Sequence, residues 1–128
     1  MKLDGITFNV TLTFPEKKEI IQNLVAEVNV LSNQYYPAYR KGISLSFEPD
    51  SYGFVKNIFI TIPDNEEMRE AFKGVIDFLS NKRNKIKSVI VTSEGNPLDD
   101  YVERGILEKI SERGLPVIYK YGLFLNKI

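Results

Sequence analysis

Ile6, Phe8, Val10, Leu12 and Phe14 occupy every second position, and Thr7, Asn9, Thr11 and Thr13 lie between them. A strand turns successive side chains to opposite faces, so this stretch has one apolar side and one polar side. It requires a sheet that is covered on one face, and it leaves the Thr/Asn side as a candidate exposed face.

The pattern then changes period. Thr13-Phe14-Pro15-Glu16 reads as a capping box, with Thr13 as N-cap, Pro15 in the first turn and Glu16 at N3. Behind it Ile20, Ile21, Leu24, Val25, Val28 and Leu31 recur at helical spacing, which predicts a helix over 15–33. Ile43, Leu45 and Phe47 alternate with Ser44, Ser46 and Glu48, predicting a second strand. The turn residues Glu48 to Gly53 lead into a third strand over 54–62, so the pair reads as a hairpin with a longer loop.

Behind Pro63, Asp64 and Glu67 form a second capping pair. Met68, Ala71, Phe72, Val75, Ile76 and Leu79 then make a helical stripe. Asn81-Lys82-Arg83-Asn84-Lys85 supplies cations suited to a helix C-terminus. Residues 86–91 are a short apolar run of the kind buried on both faces. Asn96 and Pro97 open a third helix as N-cap and N1, with Leu98, Tyr101, Val102, Ile106 and Ile110 facing inward. Gly114 is its C′ residue, and a last strand follows over 117–125.

The resulting order is β-α-β-β-α-β-α-β. It describes an α/β (α+β mixed) chain forming one domain over 1–128, a mixed five-stranded sheet with three helices packed on it. Residues 43–62 form its antiparallel hairpin, and 86–125 a right-handed βαβ crossover. No internal repeat, low-complexity tract or long linker divides the chain.

The 128 residues include no Cys, His or Trp. That excludes a disulfide scaffold, a zinc finger, a thiol nucleophile and any mechanism using the chain's own imidazole. Ser and Tyr hydroxyls have no His to act as base, so no catalytic residue is assigned and the expectation leans away from an enzyme. No pattern points to a cofactor or a metal. With 17 basic and 17 acidic side chains, the net charge is zero, which argues against a partner held by bulk electrostatics, nucleic acid above all. No apolar run approaches a membrane span, and the lack of Cys fits a soluble protein of the cytoplasm.

Three segments are candidate sites. Tyr35, Tyr36 and Tyr39 with Arg40 and Lys41 form the densest aromatic cluster, of the residue types enriched at protein interfaces. Thr92, Ser93, Glu94, Gly95 and Asn96 would lie between the carboxyl end of a parallel strand and a helix N-terminus, where open α/β sheets bind anions and nucleotides. Glu94, Asp99 and Asp100 work against phosphate there. Lys82, Arg83, Lys85 and Lys87 are four cations within six residues, a possible phosphate or acidic-partner patch. Each has a purely structural counterpart: a packed helix cap, a βα turn and a solvated helix end.

Two metal-dependent patterns are incomplete. Glu94-Gly95 with Asp99 resembles part of the acidic motif of Toprim-type phosphotransfer domains, but 117–125 contains no Asp-x-Asp. Pro49-Asp50 with Lys56 resembles a nuclease pattern, but Phe54 stands where its second carboxylate belongs. The reading that fits best is a small non-catalytic protein-binding module, of the antitoxin, immunity, inhibitor or adaptor kind. The alternatives are a ligand-sensing domain at 92–96 and a nucleic-acid-associated protein at the lysine cluster. A homodimer is compatible with all three.

Overall fold

The computed structural model describes residues 5–92. These form β1 (Ile6–Lys17), α1 (Lys18–Asn33), β2 (Ser44–Phe47), β3 (Phe54–Ile62), α2 (Met68–Ser80), a 3-10 turn (Arg83–Lys85) and β4 (Ile86–Thr92). The four strands make one sheet in the order β2-β3-β1-β4, and every described pairing is antiparallel. It follows that β1 runs parallel to β2 with β3 between them, and β3 parallel to β4 with β1 between them. Each helix therefore connects two parallel strands that are separated by a third, the split βαβ or ferredoxin-like arrangement.

Strand pairing sorts the side chains. Phe8 lies across from Ile60 and Val91, and Val10 across from Ile58 and Val89. With Ile6, Leu12, Ile62 and Leu45 they form the buried face. Onto it pack Ile21 and Val28 of α1 and Ala71, Phe72, Val75, Ile76 and Leu79 of α2. Phe8 is fully buried, and its ring centroid lies 5.4 Å from that of Phe72. The alternation in β1 and the stripe in α2 thus meet as expected.

The other face carries Thr7, Asn9 and Thr11 of β1 beside Thr61, Phe59 and Asn57 of β3. Thr11 donates its hydroxyl to Asn57 Oδ1 at 2.7 Å. This is the polar side that β1 announced, facing away from α1 and α2.

Three expectations need correction. Thr13 does not cap a helix, because β1 continues to Lys17. After an irregularity between Thr11 and Glu16, pairing resumes with Glu16 across from Val55 and Lys17 across from Phe54. The ladder bonds outweigh a local cap, and Pro15 sits in the bulge, where no ladder donor is needed. The first helical amide, that of Lys18, donates to Gly53 O at 3.0 Å instead.

At α2 the accepting side chain is Asn65, whose Oδ1 receives the Glu67 amide at 3.1 Å, an Asx turn, and the N-cap side chain makes no cap bond. Finally, Lys87 on β4 is exposed, so this strand is not the run buried on both faces that was expected; on its described side it pairs antiparallel with β1. The described part is accordingly an α+β unit with four strands and two helices. The third helix and the strand over 117–125 fall outside the described residues.

Candidate functional site

The tyrosine segment follows directly from how α1 ends. The amides of Tyr35 and Tyr36 both donate to Ser32 O, at 3.0 and 2.9 Å, and Pro37 prevents the helix from continuing. Ser32 is itself buried, and its Oγ accepts the amide of Ile43 at 2.9 Å, closing the loop between α1 and β2. Gly42 makes this closure possible. A Cβ there would collide with Ser32 Oγ and come within 3.1–3.2 Å of the Tyr36 side chain.

The five residues of the segment have separate fates. Tyr36 is 2% exposed and belongs to the core. Tyr35 is half-buried and lies against Gly74, where α2 has no side chain to exclude it. Arg40 donates from Nη1 to Glu67 Oε1 at 3.2 Å, tying the loop to the start of α2, and its amide donates to Pro37 O at 2.9 Å. Tyr39, 88% exposed, and Lys41 are the members of the segment that reach outward into solvent. The segment is therefore not a continuous tyrosine surface; two of its rings anchor the third.

The electrostatics of the anchor are uneven. The hydroxyl of Tyr36 and Oε2 of Glu67 are both buried without a hydrogen-bond partner. Burial, reinforced by the Glu67 charge and partly relieved by Arg40, pushes the Tyr36 phenol up to about 12. At neutral pH the phenol is therefore protonated and carries no charge into the core.

Two of the four cations of the lysine cluster are engaged by neighbouring groups of the fold. Lys82 reaches Glu27 of α1 at 3.2 Å and lies 4.9 Å above the Phe78 ring. Arg83 donates to Ser80 O at 3.0 Å, closing the C-terminus of α2. Lys85 and Lys87 are exposed. Of the 92–96 loop, Thr92 is the last residue of β4 and stands across from Thr7, while Ser93, Glu94, Gly95 and Asn96 lie outside the described residues. The parallel partner expected for β4, the strand over 117–125, also lies outside the described residues.

Sequence reasoning passed over a second group. Phe14 projects from the β1 bulge and is 76% exposed, Tyr52 in the β2–β3 turn is 85% exposed, and Phe54 beside it is partly exposed. The alternation had enrolled Phe14 in the core; the bulge removes it. Among the described residues no group of Asp and Glu converges as a metal ligand set, and no helix is long and apolar enough to cross a membrane. Against known proteins, no family model, no curated protein and no solved structure matches this chain.

Proposed function

We propose that the protein is a small protein-binding module whose contact surface is centred on Tyr39 with Arg40 and Lys41. The observation behind this reading is a large, almost fully exposed ring on a loop that is fastened on every side. Tyr36 in the core, Tyr35 on Gly74, the Ser32–Ile43 bond and the Arg40–Glu67 pair all hold the loop that displays Tyr39. A rigidly presented Tyr loses little conformational freedom on binding, and Tyr and Arg are the residues that most often dominate interface energies. The Cys-free composition suits the reducing cytoplasm.

The test is native mass spectrometry of the protein isolated gently from its source, comparing the parent chain with Tyr39→Ala. A stoichiometric protein partner should accompany the parent, and the truncation should weaken that complex by more than about 1 kcal/mol. Tyr36→Ala is unsuited to this purpose, because it would open the core. A partner retained unchanged by Tyr39→Ala with Lys41→Ala would remove the segment from the interface.

A further inference from the structure

We propose that the sheet face turned away from the helices, at the end marked by the β2–β3 turn, binds single-stranded nucleic acid. The inference does not depend on the tyrosine segment, which lies at the other end of α1, roughly 24 Å away for a 16-residue helix.

Three observations converge there. The first is aromatic. Phe54 and Phe59 of β3 lie on this face, each a little over a third exposed, and Tyr52 precedes Phe54 by two residues. Exposed rings on a sheet are stacking platforms for unpaired bases, and every base has a face to stack.

The second is charge. Lys17 stands directly across from Phe54, and Lys18 follows it with its amide bonded to Gly53 O. Lys56 lies between the two rings in sequence, its Nζ 3.3 Å from Thr13 O. In a chain with 17 Asp and Glu, none of the side chains that strand pairing places on this face is a carboxylate. Glu16 stands across from the buried Val55, on the helix side. The Oδ1 of Asp50 accepts the amides of Tyr52 and Phe54 at 2.9 and 3.0 Å, so this acid is occupied in shaping the turn. Glu48 and Glu19 flank this end from the β2–β3 loop and from α1.

The third is placement. Tyr52-Gly53-Phe54-Val55 matches four consecutive positions of the aromatic signature by which RNA-recognition sheets are known, at the start of the third strand of a β-α-β-β-α-β sheet. The Gly is required here, since Gly53 has φ +81°. Val55 is buried while Phe54 faces outward, as a stacking role demands. The chain departs from the signature at three positions: Asp50 stands in place of its leading cation, Ser51 in place of its first Gly and Asn57 in place of its last aromatic; Lys17 on the neighbouring strand supplies the charge from across the ladder. No ring of β1 takes part through the paired positions on this face; Phe59 gives the second platform instead. A zero net charge is compatible with this, because stacking and a few local cations replace a broad basic field.

The experiment is fluorescence anisotropy of the full chain with labelled short oligo-U, oligo-dT and a duplex of the same length. Single strands should bind better than the duplex. The log–log salt slope should lie near −2, about 0.7 for each of three lysines. Tyr52→Ala and Phe54→Ala should each weaken binding about tenfold, and Lys17→Ala should reduce the slope by about 0.7. Tyr52 and Lys17 are exposed, so these variants keep the fold, which far-UV circular dichroism verifies. Lys85→Ala with Lys87→Ala should leave binding unchanged. The proposal is overturned by no anisotropy change up to roughly 100 μM, the weak end of non-specific affinity. It is equally overturned by duplex binding as tight as single strands, or by binding indifferent to Tyr52→Ala and Lys17→Ala. A protein partner whose binding is lost on Tyr52→Ala, with no oligonucleotide bound, would assign the face to protein instead.

Discussion

Replacing Tyr36 by Phe should stabilise the protein, although Tyr36 is among its best-buried side chains. The ring supplies core packing between α1 and the loop to β2, while its hydroxyl is buried with no hydrogen-bond partner. An unpaired buried hydroxyl costs about 1–3 kcal/mol. Removing the oxygen leaves a void smaller than a methyl group, so the net gain at neutral pH is about 1 kcal/mol. For a chain of this size that raises the melting temperature by roughly 3–6 °C.

Alkaline pH enlarges the difference. The folded state holds the phenol proton more tightly than the unfolded chain, with the pKa moved from 10.0 to about 12, burial being the main cause and Glu67 the second. This contribution is intact below pH 10 and is lost as pH rises from 10 to 12. Two pH units correspond to on the order of 2–3 kcal/mol. Urea unfolding followed by circular dichroism at pH 7, 10 and 12 reads both effects, since other titrating groups cancel between parent and variant. If Tyr36→Phe is less stable than the parent at pH 7, the hydroxyl has a partner and the argument fails. Curves that fall in parallel above pH 10 would show that the phenol is not desolvated.

Other substitutions probe the frame around the two surfaces. Gly42→Ala should cost about 2–3 kcal/mol, because its Cβ displaces Ser32 Oγ from the Ile43 amide and crowds Tyr36; an unchanged urea midpoint would show that the loop yields. Phe8→Ala should cost about 3–5 kcal/mol, since a fully buried ring against Phe72 is lost from the centre of the sheet, and a loss below about 1 kcal/mol would contradict that packing. Glu27→Gln should change stability by less than about 1 kcal/mol, as its pair with Lys82 is half open to solvent. A larger loss in thermal melts would mean that this contact helps to hold α1 against α2.

The turn chemistry of the β2–β3 connection was legible because its causes are local. Asp50 accepts two amides within four residues and Gly53 takes a positive φ, both properties of those residue types. The N-terminus of α1 was not legible, because a capping box competes with ladder bonds whose partners, Val55 and Phe54, lie nearly 40 positions away. The same long-range pairing turned Phe14 from an expected core residue into an exposed one. The tyrosine cluster shows the limit most plainly: three like residues in five positions are divided among core, helix surface and solvent by the position of Pro37 and by the bare backbone of Gly74.

Periodicity by itself determined that the described chain is built from alternating strands and amphipathic helices, and which side of α2 and of β1 as far as Leu12 would be buried. It did so because burial follows from side-chain direction, which strand and helix geometry set residue by residue. Composition likewise closed off imidazole and thiol chemistry, since those groups are absent from the covalent chain. Tertiary structure alone decided the order β2-β3-β1-β4, the antiparallel sense of β4, and which aromatics and lysines share a face. Those depend on pairings between distant segments, where many registers satisfy the same local pattern and only the packed core selects one.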